Sequence, residues 1–102
     1  MNYSVRQNAV APLALVMTVT PSAVIADLTD VSAASIAYVR QDGTSGTWSA
    51  VMSNQTATTL TLTHSWASGD VPNLETLHVW GVLTITGGDV PTTSVALQVK
   101  AW

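Results

Sequence analysis

Apolar and small polar residues alternate with a period of two along most of this chain. The stretch 58–66, TTLTLTHSW, is the most regular case, because Thr or Ser occupies every second position. Its other side carries Leu60, Leu62, His64 and Trp66. Similar alternation runs through 3–7, 13–20, 34–38, 47–52, 77–85 and 95–101. Period-two alternation enriched in Thr and Val predicts half-buried antiparallel strands, and no stretch sustains a helical spacing.

Turn-forming residues separate these stretches. The segments QDGTSG at 41–46, SGDVPN at 68–73 and TGGDVP at 86–91 supply the glycine, proline and Asp that tight turns need. Short strands at this spacing predict an immunoglobulin-like two-sheet antiparallel β-sandwich of about seven strands, with residues 1–102 as one domain. Pro12 cannot donate to a ladder, so we expect it at a strand start or a sheet edge. The expected core consists of Leu15, Met17, Ile36, Leu60, Leu62, Val79, Leu83, Leu97 and Val99.

The chain is unusually poor in charge. Charged residues make up 9% of the sequence, against about 25% in an average soluble domain. The three basic residues, Arg6, Arg40 and Lys100, form no basic stripe, which argues against nucleic-acid binding. A surface of Thr, Ser and Ala is easily buried against neighbours, so the composition favours assembly, in many copies or as a homo-oligomer.

The first 27 residues have a short basic start and an apolar run, as secretory signals do. Pro12 interrupts the run, and we expect an unprocessed chain without a signal peptide. The run is also shorter than the roughly 20 apolar residues that cross a bilayer, so we expect no membrane partner.

The sequence offers little for catalysis or metal binding. Its histidines are His64 and His78, it has no cysteine, and neither histidine has a carboxylate at a ligand-like spacing. No Gly-x-Ser-x-Gly elbow or phosphate-binding loop occurs. We therefore expect no enzyme, no catalytic residue, no metal and no cofactor. His64 is interpreted as structural, with its ring inside and one nitrogen on a backbone carbonyl, and its replacement is expected to change stability by about 1 kcal/mol.

The tryptophans point to an interaction surface. Trp48 and Trp66 fall in apolar rows and are expected in the core, whereas Trp80 shares a row with His78 that should face outward. Trp102 ends the chain. Because Trp is enriched at binding hot spots, Trp80, Trp102 and His78 are the candidate partner-binding residues. The alternative for Trp80 is a ring that lies over its own sheet.

Three short motifs carry a family resemblance: PL at 12–13, DLTDV at 27–31 and RQDGT at 40–44. Together with TLTHSWASGDVPNLETLHVWGVLTITGG, they resemble immunoglobulin-like domains of tailed-bacteriophage virion proteins, including the N-terminal domain of the upper baseplate protein family. The resemblance implies a non-enzymatic virion structural protein, made in the host cytoplasm, that docks on other virion proteins at the baseplate, at the neck or as a capsid decoration.

A second hypothesis assigns the same fold to a small carbohydrate- or host-surface-binding module. Trp80 or Trp102 would then stack on a sugar, with His78 and Thr84 as neighbouring polar groups.

Overall fold

The computed structural model describes residues 3–101, which form an all-β fold. One 3-10 turn, Leu28–Asp30, is the only helical element in this range. The strands are β1 (Tyr3–Arg6), β2 (Ala14–Val19), β3 (Ala33–Val39), β4 (Ser45–Ser49), β5 (Val51–Ser53), β6 (Leu60–Ser65), β7 (Thr76–Ile85), β8 (Gly88–Pro91) and β9 (Val95–Lys100).

The strands form two sheets. The larger has the order β1-β9-β7-β3-β4, with β8 also paired to β7, and the smaller has the order β2-β6-β5. The long strand β7 pairs with β3 along one side, and with β9 and then β8 along the other. Two sheets packed in this way form a β-sandwich. The predicted all-β, two-sheet fold class is therefore confirmed, with nine strands in the described range where about seven were predicted.

The core lies between the two sheets, and the described residues share one hydrophobic cluster. All nine residues that alternation placed in the core are buried, and none exceeds 6% exposure. The connecting loops add apolar side chains that alternation did not predict. These are Ala9, Ile25, Leu28, Val31 and Val71. Loops therefore close the ends of the sandwich and leave the outer faces of both sheets for other roles.

The run 47–52 is not one strand, as its alternation predicts. Trp48 ends on β4 of the larger sheet, and Met52 belongs to β5 of the smaller one, with Ala50 between them. Both side chains still pack against the core. The alternation therefore continues across the change of sheet, because Trp48 lies on the inward face of the larger sheet and Met52 on the inward face of the smaller one.

The C-terminal hairpin and the first strand also differ from the expectation. Gly88–Pro91, part of a predicted turn, is strand β8, because the turn occupies only the preceding residues. Strand β1 pairs with β9 in parallel, so the sandwich is not purely antiparallel.

Pro12 lies in the loop two residues before β2 and follows a cis peptide bond. Within residues 3–101, no helix is long and apolar enough to cross a membrane.

Candidate interaction surface

Trp80 lies on the outer face of the larger sheet, as its row predicts. It is half-buried and directly opposite Ala37 on β3. Ala37 is only 7% exposed although it also faces outward. Neighbouring side chains on the outer face must therefore shield it, and its direct cross-strand neighbours are Trp80 and Thr47. Trp80 has intermediate exposure, so part of its side chain is open to solvent on this face.

The outer face around Trp80 is apolar at its centre and neutral for some distance beyond. Strand registers place six apolar residues there, which we call the outer patch: Ala37, Val39, Trp80, Val82, Pro91 and Ala96. Ser and Thr occupy the positions of β4 that face the same way. The outward charged residues of this sheet are Arg6 on β1, Asp89 on β8 and Lys100 at the end of β9, and none lies on β3, β4 or β7.

Of the other two candidate residues, the structure describes His78 but not Trp102. His78 is exposed on the outer face, directly between Val39 and Ala96 in the strand register, so the sheet brings it beside Trp80 on one side of β7. Trp102 lies outside the described residues. His64 lies in the interior, with 6% exposure, and His78 lies on the outer face, as their rows predict.

A cluster of stacked rings, which sequence reasoning did not assemble, fills one end of the core. Tyr38 stacks on Trp48 with 4.4 Å between ring centroids, and Trp48 stacks on His64 at 5.4 Å. Trp66 meets Trp48 and His64 edge-on, at 5.0 and 5.4 Å. Gly46 allows the first of these contacts, because a Cβ there would lie 2.6 Å from the Tyr38 hydroxyl oxygen. Offset and edge-on geometries of this kind are the favourable ones for aromatic pairs.

His64 uses both ring nitrogens within the protein. Its Nδ1 lies 2.7 Å from the Ser49 carbonyl oxygen, which is the backbone contact that we expected. Its Nε2 lies 2.8 Å from Oδ2 of Asp70, a contact that the sequence did not reveal. The same carboxylate oxygen accepts a hydrogen bond from the Ala67 backbone N–H at 2.8 Å. His64 therefore has no ring nitrogen left for a metal or a substrate, and it anchors the loop that follows β6.

Arg40 fixes the same loop from the larger sheet. Its guanidinium donates to Glu75 Oε2 at 3.1 Å and to the Asp70 carbonyl oxygen at 2.7 Å, and it lies 5.0 Å from the centroid of the Tyr38 ring. Both side chains of the Arg40–Glu75 ion pair are largely shielded from solvent. Segment 67–75 is thus held through Asp70 and Glu75 by side chains that are largely shielded from solvent, so these groups serve structure. No group of three or more potential metal ligands occurs among residues 3–101.

Two exposed carboxylates have lowered pKa values because they bond to nearby Thr groups. The Thr29 hydroxyl and then its backbone N–H lower the pKa of Asp27 below 3.8, at the start of the 3-10 turn. The backbone N–H of Thr44, followed by its side chain, lowers the pKa of Asp42 below the same value. Both residues form turns, as their positions in the sequence suggest.

We expect acid to remove the stabilisation that Asp27 provides. A carboxyl group whose folded pKa is lowered stabilises the fold above the unfolded value of 3.8, and this contribution disappears as the pH falls through the folded pKa. The unfolding free energies of wild type and Asp27→Asn, measured in urea from pH 7 to pH 2, should therefore differ most near neutrality and converge as the pH falls through the lowered pKa of Asp27. A difference that grew with acid would contradict this assignment.

No protein-family model, curated protein or solved structure matches this chain. The fold class thus rests on the structure alone.

Proposed function

We propose that this protein is a non-enzymatic structural protein of a bacteriophage virion that docks on other virion proteins through its outer patch. The observation that carries the proposal is Trp80, which lies half-exposed at the centre of an uncharged apolar surface on the larger sheet. Large aromatic side chains in such positions supply most of the binding energy at many interfaces.

The surroundings of the outer patch support docking rather than chemistry. Ser and Thr of β4 border the patch, and few charges must be desolvated when a partner covers it. A standard interface buries roughly 800 Å² on each partner, and a sheet of this size can provide that area from one face. The described ionisable side chains with the greatest burial are paired within the protein, His64 with Asp70 and Arg40 with Glu75.

We expect Trp80→Ala to reduce incorporation of the protein into phage particles at least about tenfold, as the loss of one hot-spot side chain implies. The measurement is quantitative mass spectrometry of gradient-purified particles, produced by a phage that carries the coding sequence. His78→Glu gives a second test that spares folding, because His78 is exposed and its replacement adds charge beside the patch.

Val51→Ala is the matched control, because it removes apolar surface from the opposite side of the sandwich, where Val51 is 69% exposed. Thermal melts of each isolated variant distinguish weakened docking from unfolding. Absence of the wild-type protein from purified particles would overturn the virion assignment. Unchanged incorporation of both patch variants would overturn the docking face.

The runner-up is a carbohydrate- or host-surface-binding module that stacks a sugar on Trp80. The polar side chains His78 and Thr84, on the same face of β7, favour it. Against it, the direct cross-strand neighbour of Trp80 is Ala37, which supplies no hydrogen-bonding side chain. Glycan-array binding that is lost in Trp80→Ala would select this function over assembly.

A further inference from the structure

The edge of the smaller sheet at β2 is open. Within residues 3–101, β2 pairs only with β6. The Trp66 N–H donates to the Leu13 carbonyl oxygen at 3.0 Å. Opposite residues in an antiparallel ladder alternate between hydrogen-bonded and non-hydrogen-bonded pairs. The register then requires that Ala14, Val16 and Thr18 direct their N–H and C=O groups away from β6.

These backbone groups are accessible. None of the loop and side-chain hydrogen bonds of the described residues reaches Ala14, Val16 or Thr18. Two grooves border the strand along this edge. One, of about 570 Å³, is lined by Leu13 and Ala14 at the start of β2. The other, of about 390 Å³, is lined by Met17 and Thr18 near its end.

Within β2 itself, the open edge lacks the features that normally prevent strand pairing, and the nearest prolines, Pro12 and Pro21, lie outside the strand. Native edges are protected by charged side chains, prolines, bulges or short length. Strand β2 has six residues in unbroken register with β6, and it contains neither charge nor proline. Val16 projects at its centre with 50% of its surface exposed. By contrast, β5 at the other edge of this sheet has three residues.

We infer that β2 is a homotypic pairing site, at which a second copy of this chain adds its own β2 in antiparallel orientation. In this arrangement Val16 lies opposite Val16 of the second copy. The outward backbone groups then match, because Ala14 lies opposite Thr18 of the second copy, and Thr18 lies opposite Ala14 of the second copy. Three hydrogen-bonded pairs then exchange two bonds each. The two smaller sheets become one continuous sheet, and the symmetry is that of an isologous dimer.

Charge at the two ends of β2 favours this orientation. Arg6 and Lys100 line the groove at its start. The segment after its end carries Asp27 and Asp30, and Ile25 and Leu28 of that segment line the other groove. An antiparallel dimer brings the basic end of each copy to the acidic end of the other. A parallel pair would place like charges together, so the charges favour the antiparallel orientation.

The outer face of the smaller sheet adds no repulsion. Its outward residues are Ala14, Val16, Thr18, Val51, Ser53, Thr61, Thr63 and Ser65, none of which is charged. Two copies can therefore extend this face without bringing like charges together.

The test is the oligomeric state of the purified chain by sedimentation velocity over a range of concentrations. We expect wild type to form a dimer of twice the 10.7 kDa chain mass. Val16→Lys should raise its dissociation constant at least about tenfold, because two like charges would lie directly opposite. Val16→Pro should act similarly by removing an outward N–H, while the bonds of β2 to β6 remain.

Val51→Lys is the matched control, because it adds the same charge to the same sheet face at the far edge. It should leave the dimer intact, and so should Trp80→Ala, since this inference does not rest on the outer patch. Slow amide exchange at Val16 and Thr18 in wild type, and fast exchange in Val16→Lys, would locate the contact on β2. A wild-type chain that stays monomeric up to about 1 mM, or a dimer disrupted by Val51→Lys but not by Val16→Lys, overturns the inference.

Discussion

Trp48→Ala should lower the free energy of unfolding by about 4 kcal/mol, the middle of the range for truncating a buried Trp. The side chain is 5% exposed and occupies the centre of the ring cluster. It contacts Tyr38, His64 and Trp66, with centroid distances of 4.4 to 5.4 Å. Its removal leaves a cavity between the two sheets, and the flanking rings cannot fill it without leaving their own contacts.

Urea denaturation followed by far-UV circular dichroism measures this effect. Trp80→Ala provides the comparison, because it removes the same side chain from the half-exposed outer face of the larger sheet. It should cost less than half as much, since less apolar surface is lost from the interior. Trp48→Phe keeps an aromatic ring in the cluster, so its loss of unfolding free energy should lie between those of Trp80→Ala and Trp48→Ala. Equal costs for Trp48→Ala and Trp80→Ala would show that the ring cluster adds nothing to the core.

Alternation along the sequence was sufficient for the fold class and for much of the core, because one face of each strand must be buried. It placed Leu60, Leu62, His64 and Trp66 on one side, and all four are buried. It also placed Trp80 and His78 on the opposite side of β7 from Val79. These are local properties, because residues two positions apart on one strand share a face of the sheet.

Contacts between distant segments were not predictable in this way. Arg40 and Glu75 are separated by 35 residues, and their pairing depends on how β3 and β7 lie side by side. Alternation continues through Ala50 although the chain changes sheets there, because both flanking side chains still point into the core. The open edge of β2 likewise depends on which strand lies beside it, which no repeat in the sequence records.

Asp70 makes a contact with a residue only six positions away that the sequence pattern also does not predict. It lies in SGDVPN, where a turn-forming role accounts for an Asp, and it does form a turn bond with the Ala67 N–H. Its second contact, with His64 Nε2, exists because the loop folds back over the end of β6. The sequence predicts only the backbone carbonyl contact of His64, and the expected loss of stability on its replacement reflects that contact alone. The additional contact with Asp70 raises the expected loss of unfolding free energy.

His64→Leu should therefore destabilise the protein by about 3 kcal/mol, as expected when one partner of a buried polar pair is removed. Leucine fills most of the space but donates no hydrogen bond. The Ser49 carbonyl oxygen then loses its contact with the ring, and Asp70, whose side chain is 18% exposed, keeps only the Ala67 N–H. The carboxylate is left without its partner in a largely shielded position.

A double-mutant cycle with Asp70→Asn separates this pair from the packing of the ring. The asparagine oxygen still accepts from Ala67, so the single Asp70→Asn variant should cost about 1 kcal/mol. In the His64→Leu background the same change should cost close to nothing, because the unpaired charge is removed with it. The resulting coupling of about 1 kcal/mol is within the range for residues in direct contact, and unfolding free energies from urea titrations of the four proteins measure it. Strictly additive costs would mean that the 2.8 Å contact between His64 and Asp70 contributes no stability of its own.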